Sequence, residues 1–312
     1  METQRKGKFA LKILSTSIVL LLLVGFVYQS YSSYVDSTSF DKRGEMIDIG
    51  GYSLYVEDTG TGKVTVIFDA GMGDDSSVWN KVVEEVSQFS RVITYDRAGL
   101  GWSEESPHDR DSKAIVAELH SVLKDKDITG PIILVGHSFG GVNMQRYALT
   151  YPEYITALVL VDSAHEDQID EMPQTNSLQK YLFKFGRWAA PVGIPRLYLS
   201  NTNPEEKAKK STTKHQYTSL DEAEYFPRSL SELNELTPNY GDMPLVVIAR
   251  NKASSEIDNT KNRDLVWATL QEDIATRSAN SSIIFSGARQ HSIHKMQPEI
   301  VVEAIRTLVK KL

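Results

Sequence analysis

Residues Gly136 to Gly140 read Gly-His-Ser-Phe-Gly and fit the pattern G-x-S-x-G of activated serine nucleophiles. The apolar run Pro131 to Val135 precedes them, and a stretch of helical character, Gly141 to Thr150, follows. A strand that turns sharply into a helix exposes the serine hydroxyl and leaves the next backbone amide, that of Phe139, free to donate. We therefore predict Ser138 as a nucleophile. A serine that only caps the helix would not explain both glycines, whose side chains would collide with neighbouring elements.

A serine hydroxyl becomes a good nucleophile only when a neighbouring base takes its proton, and histidine is the usual base. Of the seven histidines, His291 and His294 follow the last predicted strand, in a loop expected at the same end of the sheet as Ser138. We predict His291 as the base, because His294 falls where the chain turns into the final helix and should pack or cap there. His137, beside the nucleophile, is expected to pack locally.

A carboxylate normally orients this base and stabilises its protonated form. It is expected a few residues beyond the strand that ends at Ala249, but residues 251–255 contain no carboxylate. Two candidates remain, namely Asp162, directly after the strand Leu158 to Val161, and Asp258, farther along the chain. We favour Asp162 as the acid. The alternative interpretation of Asp162 is a structural acid that only accepts hydrogen bonds at the end of a strand.

Negative charge that forms on a substrate oxygen during acyl transfer must be met by backbone amides held in place beforehand. The amide of Phe139, at the start of the predicted helix, is one such donor. The glycine-flanked turn Asp69 to Gly73 follows the third predicted strand and should expose the amide of Met72 as the second. An ordinary glycine turn is the alternative interpretation of this segment.

Short apolar strands that alternate with helical segments must position these residues. This alternation predicts an α/β fold with a doubly wound, mostly parallel sheet, helices on both faces and ligands at the carboxyl ends of the strands. The first two strands form a hairpin at Gly50-Gly51. The predicted strands are residues 46–49, 52–56, 64–68, 91–95, 132–135, 158–161, 245–249 and 282–285, and the predicted helices are residues 78–89, 114–124, 141–151, 263–276 and 298–312.

The alternation stops between about residues 164 and 242, where amphipathic stretches occur without a clear strand. A loop of this length with no structure of its own is uncommon inside a compact domain. We therefore predict that this segment is a small helical cap, inserted in the domain and lying over the strand ends.

Residues 1–29 indicate a membrane anchor or a signal segment, because basic residues precede an uncharged run from Ile13 to Tyr28. This run is short for a membrane span and long for a signal-peptide core, and no A-x-A cleavage site follows it. We favour an uncleaved, single-pass anchor in the cell membrane, with the catalytic domain outside the cytoplasm. The alternatives are a cleaved signal peptide, which makes the protein secreted, and a buried soluble helix. The basic residues are Arg5, Lys6, Lys8 and Lys12.

The polar, Ser-rich residues 30–44 then predict a tether between the membrane and a single domain of residues 45–312. The chain has 312 residues, of which 41% are hydrophobic, so it can bury a large core.

A net charge of −7 without a basic stripe argues against a nucleic-acid partner. The absence of cysteine excludes disulfides, thiolate metal sites and a cysteine nucleophile. No metal or organic cofactor is expected, because H-E-x-x-H, P-loop and dinucleotide fingerprints do not occur in the sequence.

With the elbow, the glycine turn and the late histidine in the order serine, acid, histidine, the sequence resembles the α/β-hydrolase superfamily from about Glu45 to the C-terminus. Residues 68–79, 95–103 and 158–167 are similar to one bacterial branch with a serine nucleophile and a helical lid. Ala70-Gly71 stands where the superfamily often has His-Gly, as it does in that branch. Relatives that act on alkyl halides or epoxides use an aspartate at the elbow, so Ser138 implies acyl transfer.

We therefore expect a serine esterase that acts through an acyl-enzyme on a small or medium acyl substrate, with the membrane as its other partner. A hypothesis of a different class is a non-catalytic or weakly catalytic relative that binds a small molecule or a partner in the lid pocket. A third hypothesis keeps the same triad for cofactor-free perhydrolysis or carbon–carbon bond cleavage.

Overall fold

A computed structural model describes residues 2–172, 185–199, 202–250, 258–287 and 290–312. The chain divides into two compact units. One contains residues 1–41 and 176–217, and the other contains residues 42–175 and 218–312. The second unit carries the sheet and all the residues predicted to do chemistry.

The second unit is built on an eight-stranded sheet with the strand order β1-β2-β4-β3-β5-β6-β7-β8. The first hairpin is antiparallel, β2 also pairs with β4 in the antiparallel sense, and the other neighbours are parallel. The predicted mostly parallel sheet is therefore confirmed. The strands are β1 Glu45–Asp48, β2 Ser53–Thr59, β3 Thr65–Asp69, β4 Arg91–Tyr95, β5 Ile132–His137, β6 Ile155–Val161, β7 Leu245–Ala249 and β8 Ser281–Phe285.

Helices cover both faces of this sheet, which explains why its central strands are apolar on both sides. Along β3, Ile67 packs into one core cluster while Val66 and Phe68 pack into the other. The first cluster takes side chains from the helices at residues 112–125, 139–150 and 258–275, and the second takes side chains from the helices at residues 80–86 and 298–309. These helices are α2 Asn80–Val86, α3 Ser112–Asp125, α4 Phe139–Thr150, α9 Asp258–Ala275 and α11 Pro298–Val309, with a one-turn α10 Ile293–Met296 and a 3-10 turn Ser76–Trp79.

The described residues of the predicted cap, about 164–242, form helices and no strand. Residues 173–184 and 200–201 of this cap lie outside the described part of the chain. The helices are α5 Gln168–Glu171, a helical stretch at residues 185–189, a 3-10 turn Ala190–Val192, α6 Ile194–Tyr198, α7 Pro204–Lys210 and α8 Thr213–Glu235.

The N-terminal helix α1 runs from Glu2 to Ser39 and is long and apolar enough to cross a membrane. The expected tether at residues 30–44 is different in the structure, because α1 continues through its first ten positions. Polar side chains of this part of α1 have partners in the same unit, since Arg196 donates to Ser33 and Asp36 at 3.1 and 2.6 Å. These contacts favour a helix over a flexible linker.

Candidate active site

Strand β5 turns into α4 through Ser138, which has φ 52° and ψ −118°. A non-glycine residue in this region costs about 1–3 kcal/mol, and such strain clusters at functional sites. The flanking glycines are sterically required, because a Cβ on Gly136 would lie 2.4 Å from the carbonyl oxygen of Gly140. A Cβ on Gly140 would lie 2.4 Å from the carbonyl oxygen of Asp69. The turn therefore has the predicted geometry of a nucleophile elbow.

The loop after β3 lies directly against this elbow. The amide of Asp74 donates to the carbonyl of Gly71 at 3.1 Å, which closes a turn with Met72 and Gly73 at its centre. A Cβ on Gly71 would lie 3.5 Å from Cβ of Ser138. The amide of Met72 donates to no other group in the described part of the chain. The amide of Phe139 is in the first turn of α4, so it has no partner within the helix.

His291 Nδ1 donates to Asp162 Oδ2 at 2.6 Å. Asp162 follows β6 directly, has φ 45° and is completely buried. Its other oxygen, Oδ1, accepts hydrogen bonds from the backbone amide of Arg250 at 3.0 Å and from the indole of Trp267 at 2.8 Å. The Arg250 guanidinium lies 3.3 Å from Oδ2. The structure thus brings together the predicted base and the favoured acid, and it surrounds the acid with donors.

These donors keep Asp162 ionised. Burial raises the pKa of Asp162, but the hydrogen bond from His291 and the positive charge of Arg250 outweigh it, so its pKa lies below the ordinary value. Because a carboxylate only accepts, His291 must carry its proton on Nδ1, and Nε2 is left as the acceptor for a serine proton. The Ser138 hydroxyl itself makes no hydrogen bond to the residues that the structure describes.

Two other histidines are buried behind His291. His294 packs against Trp79 with ring centroids 4.4 Å apart, and burial lowers its pKa to about 3. Burial also holds the pKa of His137 well below its ordinary value. His137 Nε2 donates to the carbonyl of His291 at 3.1 Å, so it helps to hold the loop that carries the base. Both therefore pack as predicted.

The alternative acid, Asp258, is the first residue of α9. Its side chain, like residues 251–257, lies outside the described part of the chain. Among the described residues, no group of three or more histidine, aspartate or glutamate side chains is placed to hold a metal ion.

A buried ion cluster beside the turn Asp69 to Gly73 has no counterpart among the predicted site residues. Arg97 donates to the carbonyls of Ala70 and Gly71, at 2.7 Å each, and to Asp69 Oδ1 at 2.7 Å. Its remaining donors meet Glu222 of α8 at 2.6 and 2.9 Å.

Glu222 also accepts a hydrogen bond from the amide of Gly73 at 2.8 Å. Arg97 and Glu222, both almost fully buried, therefore hold the turn from two sides. Arg97 lies in residues 95–103, one of the stretches that carry the family resemblance, so the sequence could have indicated its role. The sequence around Glu222 contains no such indication.

Comparisons with known proteins agree with this geometry. The family model described as alpha/beta hydrolase fold matches residues 64–238, more than half of the chain. The uncharacterized protein YqjL of Bacillus subtilis is 29% identical over 246 residues, which cover 79% of this chain and 83% of YqjL.

Among solved structures, Cfl2 of Burkholderia cenocepacia has a TM-score of 0.68 at 18% identity, over 85% of this chain and 95% of that one. A thermophilic esterase of Thermogutta terrifontis has a TM-score of 0.59 at 22% identity, over 83% and 94%. At these identities the solved structures show a shared fold. The family match and the elbow at the end of β5 establish that this chain belongs to the α/β-hydrolase fold family.

Proposed function

We propose that this protein is a serine hydrolase that cleaves carboxylic esters of small or medium acyl groups through an acyl-enzyme. The observation that carries the proposal is the 2.6 Å hydrogen bond from His291 to a buried, ionised Asp162 at the same sheet edge as the strained Ser138. An acid with a purely structural role would not need His291 as a partner. It would also not need His291 Nε2 to stay available as a proton acceptor. The esterase from Thermogutta terrifontis, which shares the fold, supports ester chemistry.

In the proposed cycle, Ser138 Oγ attacks the carbonyl carbon of the ester while His291 Nε2 takes the hydroxyl proton. Asp162 stabilises the imidazolium that forms. The amides of Met72 and Phe139 donate to the oxyanion of the tetrahedral intermediate. The intermediate expels the alcohol, which receives the proton from His291, and an ester between the acyl group and Ser138 remains.

Deacylation repeats these steps with water as the nucleophile. His291 takes a proton from the water, the second tetrahedral intermediate collapses, and Ser138 regains its proton as the carboxylic acid leaves. Each proton moves between named groups of the chain, the water and the substrate. The cycle therefore needs no metal or organic cofactor.

We also propose that α1 is an uncleaved single-pass anchor and that the catalytic unit lies outside the cytoplasm. The apolar side chains of α1 between Phe9 and Val27 are largely exposed, as they are in a span that faces lipid. Basic residues precede this run, which favours a cytoplasmic N-terminus. A cleaved signal peptide is the alternative. The two are distinguished by washing the membranes with alkaline carbonate and measuring the intact mass of the protein that stays bound.

The enzymatic proposal is tested with p-nitrophenyl esters from acetate to decanoate, using the full chain in detergent beside Ser138→Ala. We expect turnover by the wild type, at least 10³-fold less by the variant, and a mass increase of one acyl group on the wild type alone. Residual turnover in Ser138→Ala equal to that of the wild type would refute the proposed nucleophile. A folded wild type without any turnover or adduct would favour the binding-protein hypothesis.

A further inference from the structure

Large apolar side chains are exposed in the unit that contains α1. Trp188 is 82% exposed, Leu197 is 69% exposed and Phe185 is 59% exposed, with Tyr198 and Ile194 also at the surface. Single exposed apolar residues are ordinary. Here they recur within one short segment, residues 185–198, which we call the aromatic segment. Such a group of exposed apolar side chains indicates a site that interacts with an apolar partner.

The aromatic segment packs along the C-terminal half of α1. A Cβ on Gly25 would lie 2.7 Å from the carbonyl oxygen of Val192, so only glycine allows this approach. A Cβ on Gly193 would lie 3.3 Å from the ring of Tyr28. Three residues later, Arg196 reaches the polar part of α1. The segment therefore follows α1 from Gly25 toward its C-terminal end.

Arg196 marks where the polar environment begins. Its guanidinium is almost fully buried and donates to Gln29, Ser33 and Asp36 at 2.9, 3.1 and 2.6 Å. Gln29 in turn donates to the carbonyl of Ser211 at 2.7 Å. The same unit thus contacts α1 through close backbone packing at Gly25 and through hydrogen bonds from Gln29 onward.

This pattern fixes the depth of the aromatic segment relative to α1. The uncharged run of α1 ends at Tyr28, and at about 1.5 Å of rise per residue Gly25 lies about 4–5 Å inside that end. Val192 lies beside Gly25 and Arg196 donates to Gln29, so this part of the aromatic segment lies near the level at which the apolar run stops. In a spanning helix this level is the boundary between acyl chains and headgroups, where tryptophan and tyrosine are enriched.

We infer that the aromatic segment docks on the outer face of the phospholipid bilayer that α1 crosses, with Trp188, Leu197 and Phe185 inserted at the headgroup and acyl-chain boundary. This inference rests on the proposed anchoring by α1. It assigns to this unit a second membrane contact, separate from the span. The part of α1 beyond Tyr28 is then a rigid support that holds the segment at the surface.

The test uses tryptophan fluorescence of the full chain in phosphatidylcholine vesicles with brominated or ordinary acyl chains. The chain has four tryptophans, of which Trp79 and Trp267 are buried in the sheet unit. We expect brominated lipid to quench the wild type and Trp102→Phe to a similar extent, and Trp188→Phe to lose at least half of the quenching. Equal quenching of Trp188→Phe and the wild type would overturn the inference.

A second measurement does not depend on tryptophan. Because the chain has no cysteine, Leu197→Cys gives a single site for an environment-sensitive fluorophore, and the exposed Tyr154→Cys of the sheet unit is its control. We expect a blue shift in vesicles for Leu197→Cys alone. The same emission change at both positions, or none at either, would overturn the docking inference. Release of the wild type from vesicles by alkaline carbonate would instead refute the anchoring on which it rests.

Discussion

Replacing Asp162 with asparagine keeps the shape of the side chain and changes one acceptor into a donor. Asp162 Oδ1 accepts from the Arg250 amide and the Trp267 indole, and the amide oxygen of asparagine retains both hydrogen bonds. The amide nitrogen then takes the place of Oδ2, which accepts from His291 Nδ1 at 2.6 Å. Two donors cannot pair, so the His291 proton moves from Nδ1 to Nε2. Nε2 can then no longer accept the proton of Ser138.

The magnitude follows from that change of tautomer. When the carboxylate of a serine triad becomes an amide, kcat falls by about 10⁴, so we expect a loss of about 10³–10⁴, or about 4–5.5 kcal/mol of transition-state stabilisation. KM should stay within a few-fold, because Asp162 is buried and is not expected to contact the substrate. Arg250 also loses the nearer of its two charged partners among the described residues, so we expect the free energy of unfolding to fall by about 1–3 kcal/mol.

The assay compares steady-state hydrolysis of a p-nitrophenyl ester by Asp162→Asn, Asp258→Asn and the wild type, with thermal unfolding of each protein as the control for folding. We expect the Asp258→Asn rate to stay near that of the wild type. A rate for Asp162→Asn above a tenth of the wild-type rate, or a larger loss in Asp258→Asn, would refute the assignment of the acid.

Three further predictions concern the neighbours of this site. Glu222→Gln leaves Arg97 with one buried carboxylate partner fewer and disturbs the turn that carries Met72, the proposed oxyanion donor. We therefore expect kcat to fall about 10–100-fold, whereas the exposed Glu224→Gln should change little. His291→Ala should abolish acylation while His294→Ala keeps a substantial rate, and equal losses in single-turnover acylation would refute the choice of base. The pKa of His294 is lowered to about 3 by burial, so the unfolded state binds a proton that the folded state excludes, and stability falls as pH drops below about 6.5. At pH 5 the free energy of unfolding is then about 2 kcal/mol lower than at pH 7.5. His294→Phe should remove this loss, as measured by denaturant unfolding at the two pH values. An unchanged pH dependence in His294→Phe would contradict the prediction.

Much of the sheet could be predicted because its central strands are buried on both faces. All five residues of β3 and of β7 are buried. In the sequence β7 is an unbroken apolar run, and β3 has an apolar run from Val66 to Phe68 at its centre. The elbow could be predicted because its glycines are sterically required on either side of Ser138. These features depend on neighbours that are close in the chain or on the periodicity of a single element.

Features that depend on distant partners could not be predicted. Glu222 meets Arg97 across 125 positions of sequence, from a helix whose local pattern indicates only an exposed face and a buried face. The part of α1 beyond Tyr28 meets Arg196 from 163 and 160 positions away, at Ser33 and Asp36, and local helix propensity does not encode these partners. The hydrogen bond between His291 and Asp162 likewise joins residues 129 positions apart, and the catalytic role of Asp162 stays a prediction.

The most direct test of the central claim is labelling of the full chain in detergent with a fluorophosphonate probe, beside Ser138→Ala and with intact and peptide masses to locate the adduct. A fluorophosphonate reacts rapidly with a serine whose hydroxyl is activated by a base and very slowly with an ordinary serine. The proposed function predicts one adduct per chain, on Ser138, that is absent in the variant and greatly slowed in His291→Ala. No adduct on a folded wild type, or an adduct on another residue, would contradict it.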